Sequence, residues 1–167
     1  MEVKKFNPRG KYFHFKLNEY SCYKCKYETC PLEDLSLKDI KEYELTTISI
    51  PQESNKEYCI GMAKLFLQGE FKNPLAVSKN ICGHYSLGDG QHRVCVVAHL
   101  MDKNADIELK AIIKEENMKC YYCGMMDKYN DMASKLTIFQ KVFKTKLYRN
   151  YTDGISNLKE RNILRKL

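Results

Sequence analysis

One stretch constrains this chain more than any other: Tyr85-Ser-Leu-Gly-Asp-Gly-Gln-His-Arg-Val-Cys-Val-Val-Ala-His-Leu-Met101. An alternating segment ends at Leu87. A turn follows in which Gly88 and Gly90 flank Asp89, and a helical pattern opens at Gln91. A strand that enters a helix through such a turn leaves backbone N–H groups free at the helix N-terminus, where the helix dipole favours an anion. Glycine lets a phosphate come close to the backbone. His92 and Arg93 fall on the first turn of the helix, where Arg93 can grip phosphate oxygens with its fork of donors. The turn is therefore read as a phosphate site made of Gly88, Asp89, Gly90, Gln91, His92 and Arg93. An ordinary β-turn with Asp89 as helix N-cap is the plainer reading, and both can hold together.

The elements around this stretch set a frame. Glu44–Pro51 is β-branched, alternating and stopped by proline, as a strand is. Ser54 and Glu57 are spaced as a capping box, opening a helix to about Gly69 with Tyr58, Met62, Leu65 and Phe66 on its inner stripe. Residues 73–78 and 84–87 predict two strands joined by a turn at 79–83. Residues 91–101 predict a helix and 107–114 a fourth strand. The order β-α-β-β-α-β between residues 44 and 115 predicts an α+β fold, a small mixed sheet with packed helices. Upstream, 11–17 alternates in part as a strand, and His14 among its aromatics reads as a packed side chain. A short helix is expected within 31–41.

These residues carry a resemblance. Asn73-Pro-Leu-Ala-Val-Ser, then His84-Tyr-Ser-Leu-Gly-Asp-Gly-Gln-His-Arg, then the helix and Ile107–Lys114, resemble the ParB/sulfiredoxin superfamily over roughly residues 42–116. The resemblance implies a nucleotide or phosphate pocket at Gly90, His92 and Arg93. It implies phosphoryl transfer or NTP hydrolysis with Mg²⁺, with His92 and Arg93 in the reaction and Glu53 in the place of a catalytic acid. As alternatives it implies a DNA-associated binding protein or a nuclease. Gln91 stands where sulfiredoxins carry their catalytic cysteine, which argues against sulfinic acid reduction. The paired arginines of the chromosome-segregation proteins are absent as well.

Eight cysteines are many for a chain without an apolar leader, and a disulfide framework is not expected from such a sequence. Cys22-x-x-Cys25 and Cys120-x-x-Cys123 are both spaced as metal knuckles. Together they predict a structural zinc site of four thiolates, with Cys30 as a rival ligand and a redox pair or free thiols as the other readings. Ninety-four residues separate the two pairs, so zinc would staple the N-terminal arm to the C-terminal one.

The tail holds most of the basic character. From Gly124 onward there are ten Lys/Arg against four Asp/Glu, within a net charge of +7 for the chain. A basic tail suits DNA or another polyanion, and equally suits a solvated helix face. Residues 131–150 predict one amphipathic helix with Met132, Leu136, Phe139, Phe143 and Leu147 on its stripe, a face that would serve packing or a homodimer. Asp153-Gly154 should break it before a shorter basic helix. The divisions expected are an arm over 1–41, a core over 42–116 and a tail over 117–167. Without a leader or an apolar run of about 20 residues, a cytoplasmic protein that does not span a membrane is expected.

Overall fold

The computed structural model describes residues 2–46 and 55–167. Its strands are β1 (Val3–Lys5), β2 (Tyr12–Phe15), β3 (Leu75–Asn80), β4 (Tyr85–Leu87), β5 (Lys110–Glu116) and β6 (Ile163–Lys166). Its helices are α1 (Tyr23–Tyr27), α2 (Leu37–Glu42), α3 (Lys56–Leu67), α4 (Gln91–Asp102), α5 (Tyr121–Lys135), α6 (Ile138–Val142) and α7 (Lys146–Arg161). The fold is α+β around a single mixed sheet in the order β1-β5-β3-β4-β2-β6. The sheet draws strands from the arm, the core and the tail alike.

β3 runs parallel to β5 from Leu75↔Ala111 to Asn80↔Glu116 and antiparallel to β4, so the 79–83 turn is the expected hairpin. β2 lies parallel to β4, and β6 returns antiparallel against β2. Phe13, Phe15, Leu75 and Val77 from the sheet are buried with Ile60 and Ala63 of α3 and Val94, Val97 and Leu100 of α4. Burying side chains of this size stabilises by roughly 1.5–3 kcal/mol each. His14 alternates with Phe13 and Phe15 along β2 and meets the tail instead. Its Nε2 donates to Asn162 Oδ1 at 2.9 Å, and its ring stacks on Tyr121. It is the packed histidine expected.

Several expectations shift. The first strand expected, 44–51, and Ser54 of the expected capping box fall largely outside the described residues. The N-cap of α3 is Asn55, whose side chain accepts from Glu57 N at 3.1 Å. Glu57 itself is buried and accepts from Thr46 N and Oγ1 at 3.1 and 2.6 Å. The buried face of α3 is Cys59, Ile60, Ala63 and Phe66, one residue out of phase with the stripe expected. Tyr58 and Met62 are left to line a cleft.

The tail differs most. The single helix over 131–150 is three pieces. Leu136 turns extended, Thr137 starts α6 through a capping box with Gln140, and Lys144 at φ 42° separates α6 from α7. Asp153-Gly154 does not break the chain but lies inside α7, where Gly154 gives room to the ring of Tyr129 on α5. The expected C-terminal helix ends at Arg161, and the β-branched and aliphatic start of Ile163–Lys166 pairs with β2 as a strand. No helix among the described residues is long and apolar enough to cross a membrane.

Candidate functional site

The parallel pairing of β3 and β5 decides what meets at one end of the sheet. Both strands stop together, Asn80 opposite Glu116, and Ile81 N donates to Met118 O at 3.2 Å beyond them. Cys82 and His84 on the hairpin turn therefore stand beside Cys120 and Cys123 at the start of α5. Their ligand atoms all lie within 4.8 Å of one another. Cys120 Sγ is 3.7 Å and Cys123 Sγ 3.2 Å from His84 Nδ1. Tetrahedral zinc, with sulfur at about 2.3 Å and nitrogen at about 2.0 Å, places such atoms about 3.6 Å apart. Cys120 N donates to Cys82 Sγ at 3.3 Å, a hydrogen bond that favours a thiolate. The group could hold a metal ion: three thiols and an imidazole are a zinc-type donor set.

The thiols crowd each other. Burial, then the neighbouring thiols, pushes Cys123 up to about 12, and burial raises Cys120. Burial acts the same way on Cys82, but the N–H groups of Cys120 and His84 outweigh it and hold that thiol below its ordinary value.

The expected set of Cys22, Cys25, Cys120 and Cys123 is therefore corrected in half of its members. Cys120 and Cys123 meet Cys82 and His84. Cys22 and Cys25 lie on and before α1, with Arg165 and Cys95 as neighbours, and Cys30 is buried in the core. The Cys82-x-His84 spacing was present in the sequence but read only as a turn and a strand start. With 37 residues between Cys82 and Cys120, it also bridges far less chain than the pairing expected.

The glycine turn forms a second site. Gly90 is the N-cap of α4 at φ 78°, and a Cβ there would overlap Leu75 Cδ2 and sit 3.0 Å from Arg93 Nε. Glycine is required at that position. Asp89 is not the cap. No side chain caps α4, and the Asp89 carboxylate reaches Arg93 at 3.4 Å from an exposed position. A cleft of about 520 Å³ opens here, lined by Lys16, Ser21, Tyr58, Met62, Phe71 and the run Gly88, Asp89, Gly90, Gln91, His92 and Arg93. An apolar pocket of about 390 Å³ adjoins it, sharing Tyr58, Met62 and Phe71. Gln91 Oε1 accepts from Lys16 N at 2.6 Å and ties the end of β2 to α4. Arg93 lies over the Phe71 ring, 6.0 Å from its centroid.

His92 is only 7% exposed, with Tyr58 edge-on at 5.1 Å and Cys59 Sγ 4.0 Å from Nδ1. Its Nε2 finds no hydrogen-bond partner among the described residues. Such an atom costs about 1–3 kcal/mol unless something bonds to it. Glu53, the expected catalytic acid, lies outside the described residues.

Compared with protein-family models, with curated proteins and with solved structures, the chain matches none.

Proposed function

We propose that this protein binds a nucleotide, in the manner the ParB/sulfiredoxin resemblance implies, with its phosphates at the N-terminus of α4. One observation carries the reading: a twelve-residue helix begins with no side-chain cap at the floor of a cleft that also holds Lys16 and Arg93. The first N–H groups of α4 would bond phosphate oxygens, and the helix dipole would favour their charge. Arg93 would leave the weak, exposed pairing with Asp89 and grip the phosphate as a fork. Lys16 would add a second cation. Tyr58, Met62 and Phe71 offer the base an apolar wall. Mg²⁺ would accompany the nucleotide, as phosphoryl transfer and hydrolysis require.

The Cys82, His84, Cys120 and Cys123 group supports a second part of the reading, a structural zinc centre. Four protein ligands leave zinc no open position, so its role is to tie the β3–β4 hairpin to α5.

Thermal-shift measurements with each NTP, with and without Mg²⁺, test the binding. One nucleotide at 100 times its Kd stabilises by about 2.7 kcal/mol, and Arg93→Ala removes most of that shift. No shift with any nucleotide, alongside salt-sensitive retention of DNA by the basic tail, overturns the proposal.

A further inference from the structure

Cys22 and Cys25 belong to neither site, yet they are placed as a working pair. Cys22 leaves the Asn18–Ser21 turn, with its N–H donating to Asn18 O at 2.9 Å, and begins α1 in an extended conformation. Its sulfur accepts from the Cys25 thiol and from the backbone N–H groups of Cys25 and Lys24. Three donors aimed at one sulfur stabilise the thiolate, and they hold Cys22 down to about 5. The bond that Cys25 donates raises Cys25 in turn. One proton is thus shared between two sulfurs.

No third ligand completes a metal site. Among the described residues, the one group of cysteine, histidine or acid side chains converging closely enough to hold a metal is Cys82, His84, Cys120 and Cys123. Two thiols alone do not make a structural zinc centre.

The pair also has an entrance. Cys22 is buried, but Cys25 is half-buried and lines a cavity of about 520 Å³ at the junction of α7 and β6. Lys159, Arg161 and Arg165 line that cavity, against Glu19 and Glu160. Arg165 is close enough to Cys25 to favour its thiolate. A small reactant bearing carboxylates fits such an entrance.

We propose that Cys22 and Cys25 are a redox-active dithiol, oxidised to an intramolecular disulfide by exchange with a small, carboxylate-bearing disulfide. The shared proton moves to Cys22 and leaves the thiolate on Cys25. Cys25 Sγ attacks one sulfur of the small disulfide, whose S–S bond breaks and expels the first thiolate. That thiolate takes the proton from Cys22. Cys22 Sγ then attacks Cys25 Sγ, forming the protein disulfide and expelling the second thiolate. The two protein sulfurs are oxidised, the small disulfide is reduced to two thiols, and one proton and one negative charge are conserved.

The test uses the full-length, zinc-loaded chain with oxidised and reduced glutathione as the probe. After equilibration at a series of ratios, free thiols are capped with iodoacetamide and the peptides mapped by mass. One disulfide, Cys22–Cys25, is expected to appear and vanish with the ratio, while the other six cysteines stay capped or metal-bound. Arg165→Gln slows oxidation by glutathione about threefold to tenfold and leaves oxidation by neutral bis(2-hydroxyethyl) disulfide unchanged. Capping of both thiols at every ratio overturns the proposal. So does a disulfide spread over other cysteines, or a second equivalent of metal that Cys25→Ser releases.

Discussion

Gly90 shows how much one residue settles. Its positive φ turns the chain from β4 into α4, and Leu75 and Arg93 occupy the space where a Cβ would project. Gly90→Ala therefore combines backbone strain with a clash, and a loss of about 2–3 kcal/mol in denaturant unfolding is expected. Gly88 meets nothing within 4 Å and has no such requirement. His14 sets a different kind of constraint. Burial holds its imidazole below the ordinary range, against the hydrogen bond to Asn162, and burial lowers His99 too. The unfolded chain takes up these protons near pH 6.5, where the folded one resists. Stability is therefore full above about pH 6.5 and falls as pH drops through it, levelling off only below the folded values. Urea midpoints at pH 7.5 and 5.5, with zinc in excess, should show a shallower pH slope for His14→Gln. An unchanged slope would remove His14 from the account.

At the scale of elements, the α5–α7 contact rests on a small residue inside a helix. Glycine in a helix interior costs about 1 kcal/mol against alanine, so Gly154 needs a reason. The reason is Tyr129: a Cβ on residue 154 would stand 2.5 Å from its hydroxyl oxygen. Gly154→Ala should destabilise the protein as it stands. In a Tyr129→Ala background the same change should stabilise by about 0.5–1 kcal/mol, a reversal that a double-mutant cycle reads directly. The periodicity of 131–150 could not reveal this arrangement. Spacings of three and four run unbroken from Met132 to Leu147, and only the Thr137–Gln140 capping box marks where α6 begins. The pattern also names the wrong residues as buried. Leu136 is 6% exposed, whereas Phe139 and Phe143 are 65% and 66% exposed. By contrast, β3, β4, α4 and β5 were legible, because glycine turns and sharp changes of period bound them. Asp153-Gly154 misled because a glycine that accommodates a neighbour looks the same in sequence as one that ends a helix.

Across the whole molecule, the metal ligands show what one dimension hides. Cys-x-x-Cys spacing reports the local turn that aims two thiolates, and Cys120 and Cys123 were legible for that reason. Which other pair joins them depends on strand pairing, and here a parallel β3–β5 register brings Cys82 and His84 to the same end of the sheet. Nothing local distinguishes Cys22-x-x-Cys25 as the pair left out. This assignment has consequences for the entire fold. The β3–β4 hairpin leads through β4 into the Gly88–Arg93 turn, and α5 packs on α7, which ends beside β6. A metal at this junction joins the strand that feeds the cleft to the helices of the tail. One equivalent of zinc per chain is expected by metal analysis, and Cys82→Ser or Cys123→Ser should lose it. Cys22→Ser and Cys25→Ser should keep it. Binding of a structural zinc is folding free energy, so chelation should lower the thermal midpoint by about 10 °C or more, and the Cys82→Ser protein should show no further drop with chelator. Zinc retained in Cys82→Ser but lost in Cys22→Ser would return the site to the two Cys-x-x-Cys pairs and remove the tie between hairpin and tail.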